Sequence, residues 1–276
     1  KTMAKIEDPI EFELFKNAIF AIGDEMAVTI CRTTYSGVLR DNMDFSTALA
    51  DVNGKMVAQG LTLPGHLGSI PAALAVVVER FAGDIHPGDM FILNDPFDGG
   101  MHLPDIFIFQ PLFHEGKRVA FAATISHHSD VGGRVPGSNA SDSTEIYQEG
   151  LRIPPLKLFD QGKRNETMWS LIEKNVRIPI QVLGDLRAQL AACHIAETQF
   201  AELLERYGAD KVALYMEEVV DYAERLTRAA IADLPDGQWS FEDWIDDDGI
   251  DLDRPIRLFV TLTKTGDEIT VGWTGS

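Results

Sequence analysis

The sequence predicts an α+β fold, with mixed sheets and hairpins, a long N-terminal helix, a central helical segment and β-strands at the end. Three observations carry that expectation. Phe12, Phe15, Ile19, Ile22, Met26 and Ile30 recur at three- and four-residue intervals, which places one apolar stripe along a helix. Several short runs rich in β-branched and aromatic residues are punctuated by Asn53-Gly54 and Glu115-Gly116, pairs that supply the positive φ angles of tight hairpin turns. From about residue 166 to 234 the helical period returns, broken near Gly208.

Taken in order, the first helix is expected to run to about Thr34. Residues 45–50 and 55–59 read as a hairpin across Val52-Asn53-Gly54. Residues 69–81 read as a helix with Ser69 as its N-cap and Gly83 as its stop. Strands follow at 89–94, 105–113 and 118–126, and then 130–155 is rich in Gly, Ser, Asn and Pro, the composition of a functional loop. Strand-like runs begin at Trp239, Pro255 and Glu268. The expected organisation is a metal-binding α+β domain over 1–165, a helical segment over 166–235, and the β-rich start of a second domain over 236–276.

With 45% hydrophobic and 24% charged residues, the 276-residue chain can bury a substantial core. The formal charge of −19 repels phosphate backbones and anionic lipid, so neither nucleic acid nor membrane is an expected partner. The start, Lys1-Thr2-Met3-Ala4-Lys5 leading into Glu7-Asp8, lacks a signal-peptide core. Cys31 and Cys193 are too few for a disulfide framework or a zinc ribbon and are expected as buried thiols. A cytoplasmic location is the expectation.

The densest group of reactive side chains is the segment from Asn94 to Asp105, containing Asp95, Gly99, Gly100 and His102, followed by Ser126-His127-His128-Ser129-Asp130. Asp105 opens one strand of the predicted hairpin and His127 closes the next. Antiparallel pairing then brings His102, Asp105 and His127 to one sheet edge. Imidazole and carboxylate donors without thiolate suit Zn, Mn or Fe, although a lone HxxD also fits a structural, hydrogen-bonded histidine. From spacing alone Asp44 reads as a turn carboxylate and His66 as a residue preceding a helix. No GxSxG, GxxxxGK[ST] or GxGxxG occurs, which removes support for serine-hydrolase, self-contained P-loop and Rossmann readings.

Many segments resemble the hydantoinase B/oxoprolinase family: Arg32-Thr33-Thr34-Tyr35-Ser36, Asp44-Phe45-Ser46, His66-Leu67-Gly68-Ser69, Asn94-Asp95-Pro96, the Gly-Gly-x-His-Leu-Pro-Asp run ending at Asp105, Asp130-Val131-Gly132-Gly133, 145–155, and Gly184-Asp185-Leu186-Arg187-Ala188-Gln189. The resemblance implies one divalent metal ion held by Asp44, His102, Asp105 and His127. It also implies a hydantoinase A-type partner that binds ATP and Mg. Trp273-Thr274-Gly275-Ser276 is similar to a mid-chain segment of the family, which implies a C-terminal half of the same subunit. His128 and Asp130 are the expected catalytic groups. His66, Asp95, Gly99, Gly100 and Glu149 are the expected substrate contacts. Arg40-Asp41-Asn42-Met43 departs from the Glu-Arg-Arg-type segment of many family members, which leaves the substrate open between lactam and ketone.

The leading expectation is thus a subunit of an ATP-dependent cyclic amide hydrolase acting on hydantoin, oxoproline or another lactam. The alternatives are a subunit of an acetone- or acetophenone-type ketone carboxylase, with Phe97, Phe107 and Phe109 as candidate pocket residues, and a non-catalytic assembly fragment. The parity of β-structure adds a specific expectation. Val119, Phe121, Ala123 and Ile125 alternate in phase with His127, so His127 faces inward and His128 points the other way.

Overall fold

A computed structural model describes residue 6 and residues 8–276; the polar start at Lys1–Lys5 and Glu7 lies outside the described residues. The chain divides into two compact units, one comprising 1–139 and 146–217, the other 140–145 and 218–276.

In the first unit α1 (Pro9–Thr33) begins where the Asp8 carboxylate accepts the Ile10 and Glu11 amides, with Pro9 preset for the first turn. Its apolar stripe is buried as the periodicity predicts. After the short α2 (Gly37–Arg40) come β1 (Phe45–Asp51), β2 (Met56–Gln59), α3 (Ile70–Arg80), β3 (Met90–Leu93), β4 (Asp105–His114) and β5 (Lys117–His127). Two strands beyond those expected from the sequence, β6 (Leu156–Asp160) and β7 (Lys163–Arg164), complete a seven-stranded sheet in the order β2-β1-β5-β4-β3-β6-β7. All of its strand pairs are antiparallel. Then follow α4 (Glu166–Asn175), α5 (Pro179–Tyr207) and α6 (Ala209–Ala232), the last running into the second unit.

The sheet is apolar on both faces because helices cover both. On one face Ala48, Phe107, Phe109, Phe121, Ala123 and Ile125 form a buried cluster with Ile70, Ala73, Leu74 and Val77 of α3. Phe107 and Phe109 are therefore core residues, whereas Phe97 is exposed. The other face meets α1 and α5: the Thr47 hydroxyl donates to the Gly23 carbonyl, and the Gln189 amide donates to the Ile106 carbonyl. Gly23 and Gly60 permit this approach, since a Cβ on either would lie within 3 Å of the other's chain.

Two local expectations need correction. Ser69 has helical torsions and caps no amide; its hydroxyl donates instead to the His66 carbonyl. Cys193 is buried, with its thiol pushed up to about 12 by burial, but Cys31 is only partly covered. The loop over 130–155 makes contacts within itself, such as the Val131 amide on the Ser138 hydroxyl at 2.8 Å, and with Asn94, whose side-chain oxygen accepts the Ile153 amide at 2.6 Å.

The second unit holds the antiparallel sheet β10-β9-β8, formed by β8 (Gly237–Ile245), β9 (Ile256–Thr265) and β10 (Glu268–Gly272). Its register aligns Trp239 with Leu262 and Phe241 with Val260, so apolar side chains collect on one face, and Trp239, Phe241 and Ile245 are exposed there. No helix of the described residues is long and apolar enough to cross a membrane.

Candidate metal centre

Strand register assembles the centre. Asp105 on β4 pairs with His127 on β5. Phe45 pairs with Ser126, and one residue earlier the His127 amide donates to the Asp44 carbonyl at 3.0 Å. Asp44, His127 and Asp105 therefore form one row across β1, β5 and β4, and residues in a row project from the same face. His102 joins from the turn closed by the Asp105 amide on the His102 carbonyl. His66 joins at the end of the 3-10 turn Pro64–His66, which is anchored by the Ser46 hydroxyl on the Leu63 carbonyl at 2.6 Å.

Five side chains converge. His102 Nδ1 lies 2.5 Å from Asp105 Oδ2, and His127 Nδ1 lies 3.4 Å from Asp105 Oδ1. His66 Nε2 is 3.4 Å from Asp44 Oδ1 and 3.9 Å from Asp105 Oδ1, and His127 Nδ1 is 3.9 Å from Asp44 Oδ2. One donor atom each from His102, Asp105 and His127 lies within 4.8 Å of the others. The Asp105 and His66 side chains are covered while those of His102 and Asp44 are 42% and 31% exposed, so the centre opens on the His102 and Asp44 side.

Electrostatics favour the ligand forms of several groups. Burial acts to raise the Asp105 carboxyl, but the hydrogen bond from His102 and the approach of His127 outweigh it and hold Asp105 at about 2. Burial lowers His66 despite its two carboxylate neighbours. The hydrogen bond to Asp105, by contrast, raises His102, so there a cation and a proton compete for the imidazole.

The residues present fit a divalent cation. Ser46 gives its one hydroxyl hydrogen to Leu63, so at 3.3 Å it can only accept from His66 Nδ1. His66 then carries hydrogen on Nδ1 and aims the Nε2 lone pair at Asp44 Oδ1 and Asp105 Oδ1. Asp105 Oδ1 is buried without a hydrogen-bond partner. His66 Nε2, Asp44 Oδ1 and Asp105 Oδ1 thus face one another with only His127 Nδ1, at 3.4 Å from Asp105 Oδ1, as a neighbouring nitrogen; such a gathering of lone pairs is one a cation satisfies, and nitrogen with oxygen donors suits Zn, Mn or Fe(II).

The other residues selected from the sequence lie elsewhere. His128 is fully buried on the opposite face, with Nε2 3.0 Å from Gln189 Oε1, so it does not face a ligand of the centre. The Asp130 carboxylate is likewise engaged, accepting the amides of Gly132, Gly137 and Arg177 and the Arg177 guanidinium at 2.9 Å. Neither is placed as a proton acceptor at the centre. Asp95 caps the 3-10 turn Pro96–Asp98 and pairs with Arg152 at 2.6 Å. Gly99 and Gly100 bring backbone against α3 and against Asn94–Asp95 respectively, a packing reason for both. Glu149 is half-buried and near enough to His102 to help raise it. His66, like Asp44, is a group that spacing does not place at the centre; its turn is held by the Ser46 hydroxyl on the Leu63 carbonyl.

Burial acts to raise Asp130, but the Arg177 backbone and side chain and two glycine amides outweigh it and lower its pKa. A carboxylate depressed in the folded state stabilises above its unfolded pKa, and that contribution is lost as pH falls through the folded value. Arg177→Met is expected to cost about 1–3 kcal/mol at neutral pH, with the deficit shrinking in acid. Urea midpoints measured from pH 7 to about 3 test this; a deficit independent of pH would refute it.

An α+β scaffold with imidazole and carboxylate donors at the ends of three adjacent strands defines a protein built around a polar centre, with helices packed on both sheet faces. The chain belongs to the hydantoinase B/oxoprolinase family, whose sequence profile matches residues 8–276. It is 38% identical to the beta chain of the caprolactamase of Pseudomonas jessenii over 96% of this chain and 45% of the relative. It is 33% identical to a putative D-/L-hydantoinase B chain of Pseudomonas sp. strain NS671, over 98% of this chain and 47% of the relative. The crystal structure of the ATP-dependent caprolactamase from Pseudomonas jessenii superposes with a TM-score of 0.88 at 36% identity, covering 97% of this chain and 46% of that one. The chain thus spans just under half the length of these relatives.

Proposed function

We propose that this chain is the metal-binding portion of an ATP-dependent cyclic amide hydrolase. It would work with a hydantoinase A-type subunit that carries ATP and Mg and with a C-terminal half of its own subunit. The observation that carries the reading is the convergence of Asp44, His66, His102, Asp105 and His127 at one sheet edge, in a chain similar to one of a caprolactamase. Asp44, His102, Asp105 and His127 are the proposed ligands. A divalent cation bound there supplies a Lewis acid for a carbonyl oxygen and acidifies water at neutral pH.

The chain's own residues supply the rest. His66, whose pKa burial lowers, presents its Nε2 lone pair beside Asp44 and Asp105 and is the proposed fifth donor to the cation. Reconstitution with an A-type subunit and the remaining half of a B-type subunit should give ATP hydrolysis that depends on a lactam such as caprolactam, a hydantoin or oxoproline. ATP turnover that responds to acetone or acetophenone with bicarbonate, and to no lactam, would replace this reading with ketone carboxylation.

A further inference from the structure

The segment Gly184-Asp185-Leu186-Arg187-Ala188-Gln189 lies on α5, on the opposite face of the sheet from the centre, and nothing in the proposed chemistry uses it. Asp185 and Gln189 are one turn apart and so share a helix face, and both are fully buried. Asp185 Oδ1 accepts three donors: the Thr34 hydroxyl, the Tyr35 amide at 2.7 Å and the Ser36 amide at 3.1 Å. Those residues join α1 to α2, and from α2 the Val38 carbonyl accepts the Asp44 amide. Gly184 leaves room for this joint, because a Cβ there would lie 2.5–2.8 Å from ring atoms of Tyr35.

Gln189 grips the other two strands. Its Nε2 donates to the Ile106 carbonyl at 2.8 Å and lies 3.3 Å from the Thr124 hydroxyl. That orientation leaves Oε1 as the acceptor for His128 Nε2 at 3.0 Å. Ile106 follows Asp105 and His128 follows His127. The contacts at Ile106 and His128 thus fall one residue from a proposed ligand, whereas Asp185 reaches Asp44 only through α2.

We infer that Asp185 and Gln189 are positioning residues, a clamp on the opposite sheet face that sets Asp44, Asp105 and His127 at the spacing a divalent cation requires. Neither touches the centre, so they act through the backbone of the strands they hold. A ligand set drawn from three strands is only as well placed as those strands are relative to one another, and outer partners of ligands commonly alter metal affinity 10–100-fold. The inference rests on the proposed metal centre.

The test uses Co²⁺ as probe on the full chain, read by its visible absorption and by titration, with melting temperature measured in parallel. Gln189→Met and Asp185→Asn are expected to weaken Co²⁺ binding about 10–100-fold and to shift the absorption band. Thr34→Val removes one donor to Asp185 and leaves α5 intact, so it should weaken binding several-fold, while Thr34→Ser restores it. Folded variants that melt lower yet keep the wild-type Co²⁺ affinity and band would overturn the clamp and leave a purely structural role. If Asp185→Asn and Gln189→Met do not fold, the Thr34 pair decides by the same criterion. Failure of the unmodified chain to bind Co²⁺ would count against the metal centre itself.

Discussion

His127→Ala is expected to reduce divalent-cation binding to background, a loss of more than about a hundredfold, whereas His128→Ala retains a bound ion. The two side chains are neighbours at the end of β5 and point to opposite faces. His127 lies 3.4 Å from Asp105 and 3.9 Å from Asp44. His128 is sealed against Gln189. Removing His128 leaves a buried amide oxygen unpaired, so the cost falls mainly on stability, about 1–3 kcal/mol, with a smaller effect on affinity through the strand it anchors. Elemental analysis after exhaustive dialysis, paired with urea denaturation, separates the two outcomes. Metal lost in His128→Ala and kept in His127→Ala would mean that β5 is in the wrong register.

The second large effect concerns Gly99. Its φ is +90°, and a Cβ there would sit 2.7 Å from the Ala73 nitrogen and 2.8 Å from the Ala72 carbonyl carbon, both in the backbone of α3. No rotamer change relieves a clash with helix backbone, so Gly99→Ala combines a strained torsion with overpacking and should cost roughly 3 kcal/mol or more. His102 lies three residues on, so metal affinity should fall as well. Gly65, beside His66, has ordinary torsions, and a Cβ there would meet nothing within 4 Å, so Gly65→Ala should stay within about 0.5 kcal/mol. Equal stability of the two variants would refute the packing role of Gly99.

What is legible in the sequence follows the physics of each signal. The stripe from Phe12 to Ile30 and the alternation ending at His127 are short-range periodicities, and both describe the buried faces found. The hairpin of β4 and β5 is local, closed at Glu115-Gly116, but its turn alone would set Asp105 opposite Ser126; an irregularity between Leu112 and Phe113 shifts the register by one and brings His127 there. Asp44 is different. Its place in the row depends on β1 pairing with β5, a long-range contact that no spacing encodes, and only the family resemblance raises it above a turn residue. His66 reaches the centre through one hydroxyl contact from Ser46, which leaves no periodic trace. The strands β6 and β7 escape pattern reading because they are short and carry Lys157, Asp160, Lys163 and Arg164; β7, the edge strand, needs little apolar patterning.

The row formed by Asp44, His127 and Asp105 also orders events in time. Asp105 and His127 are joined through one hairpin, so their strands can pair early. Asp44 arrives only when β1 docks on β5, a pairing across a long stretch of chain whose closure entropy makes it slow. The centre is therefore expected to be completed late on the folding path, an order that chevron kinetics with and without Co²⁺ would test. An ion that binds the finished row lowers the native state far more than the transition state, so its kinetic effect falls on the rate of unfolding and barely on the rate of folding.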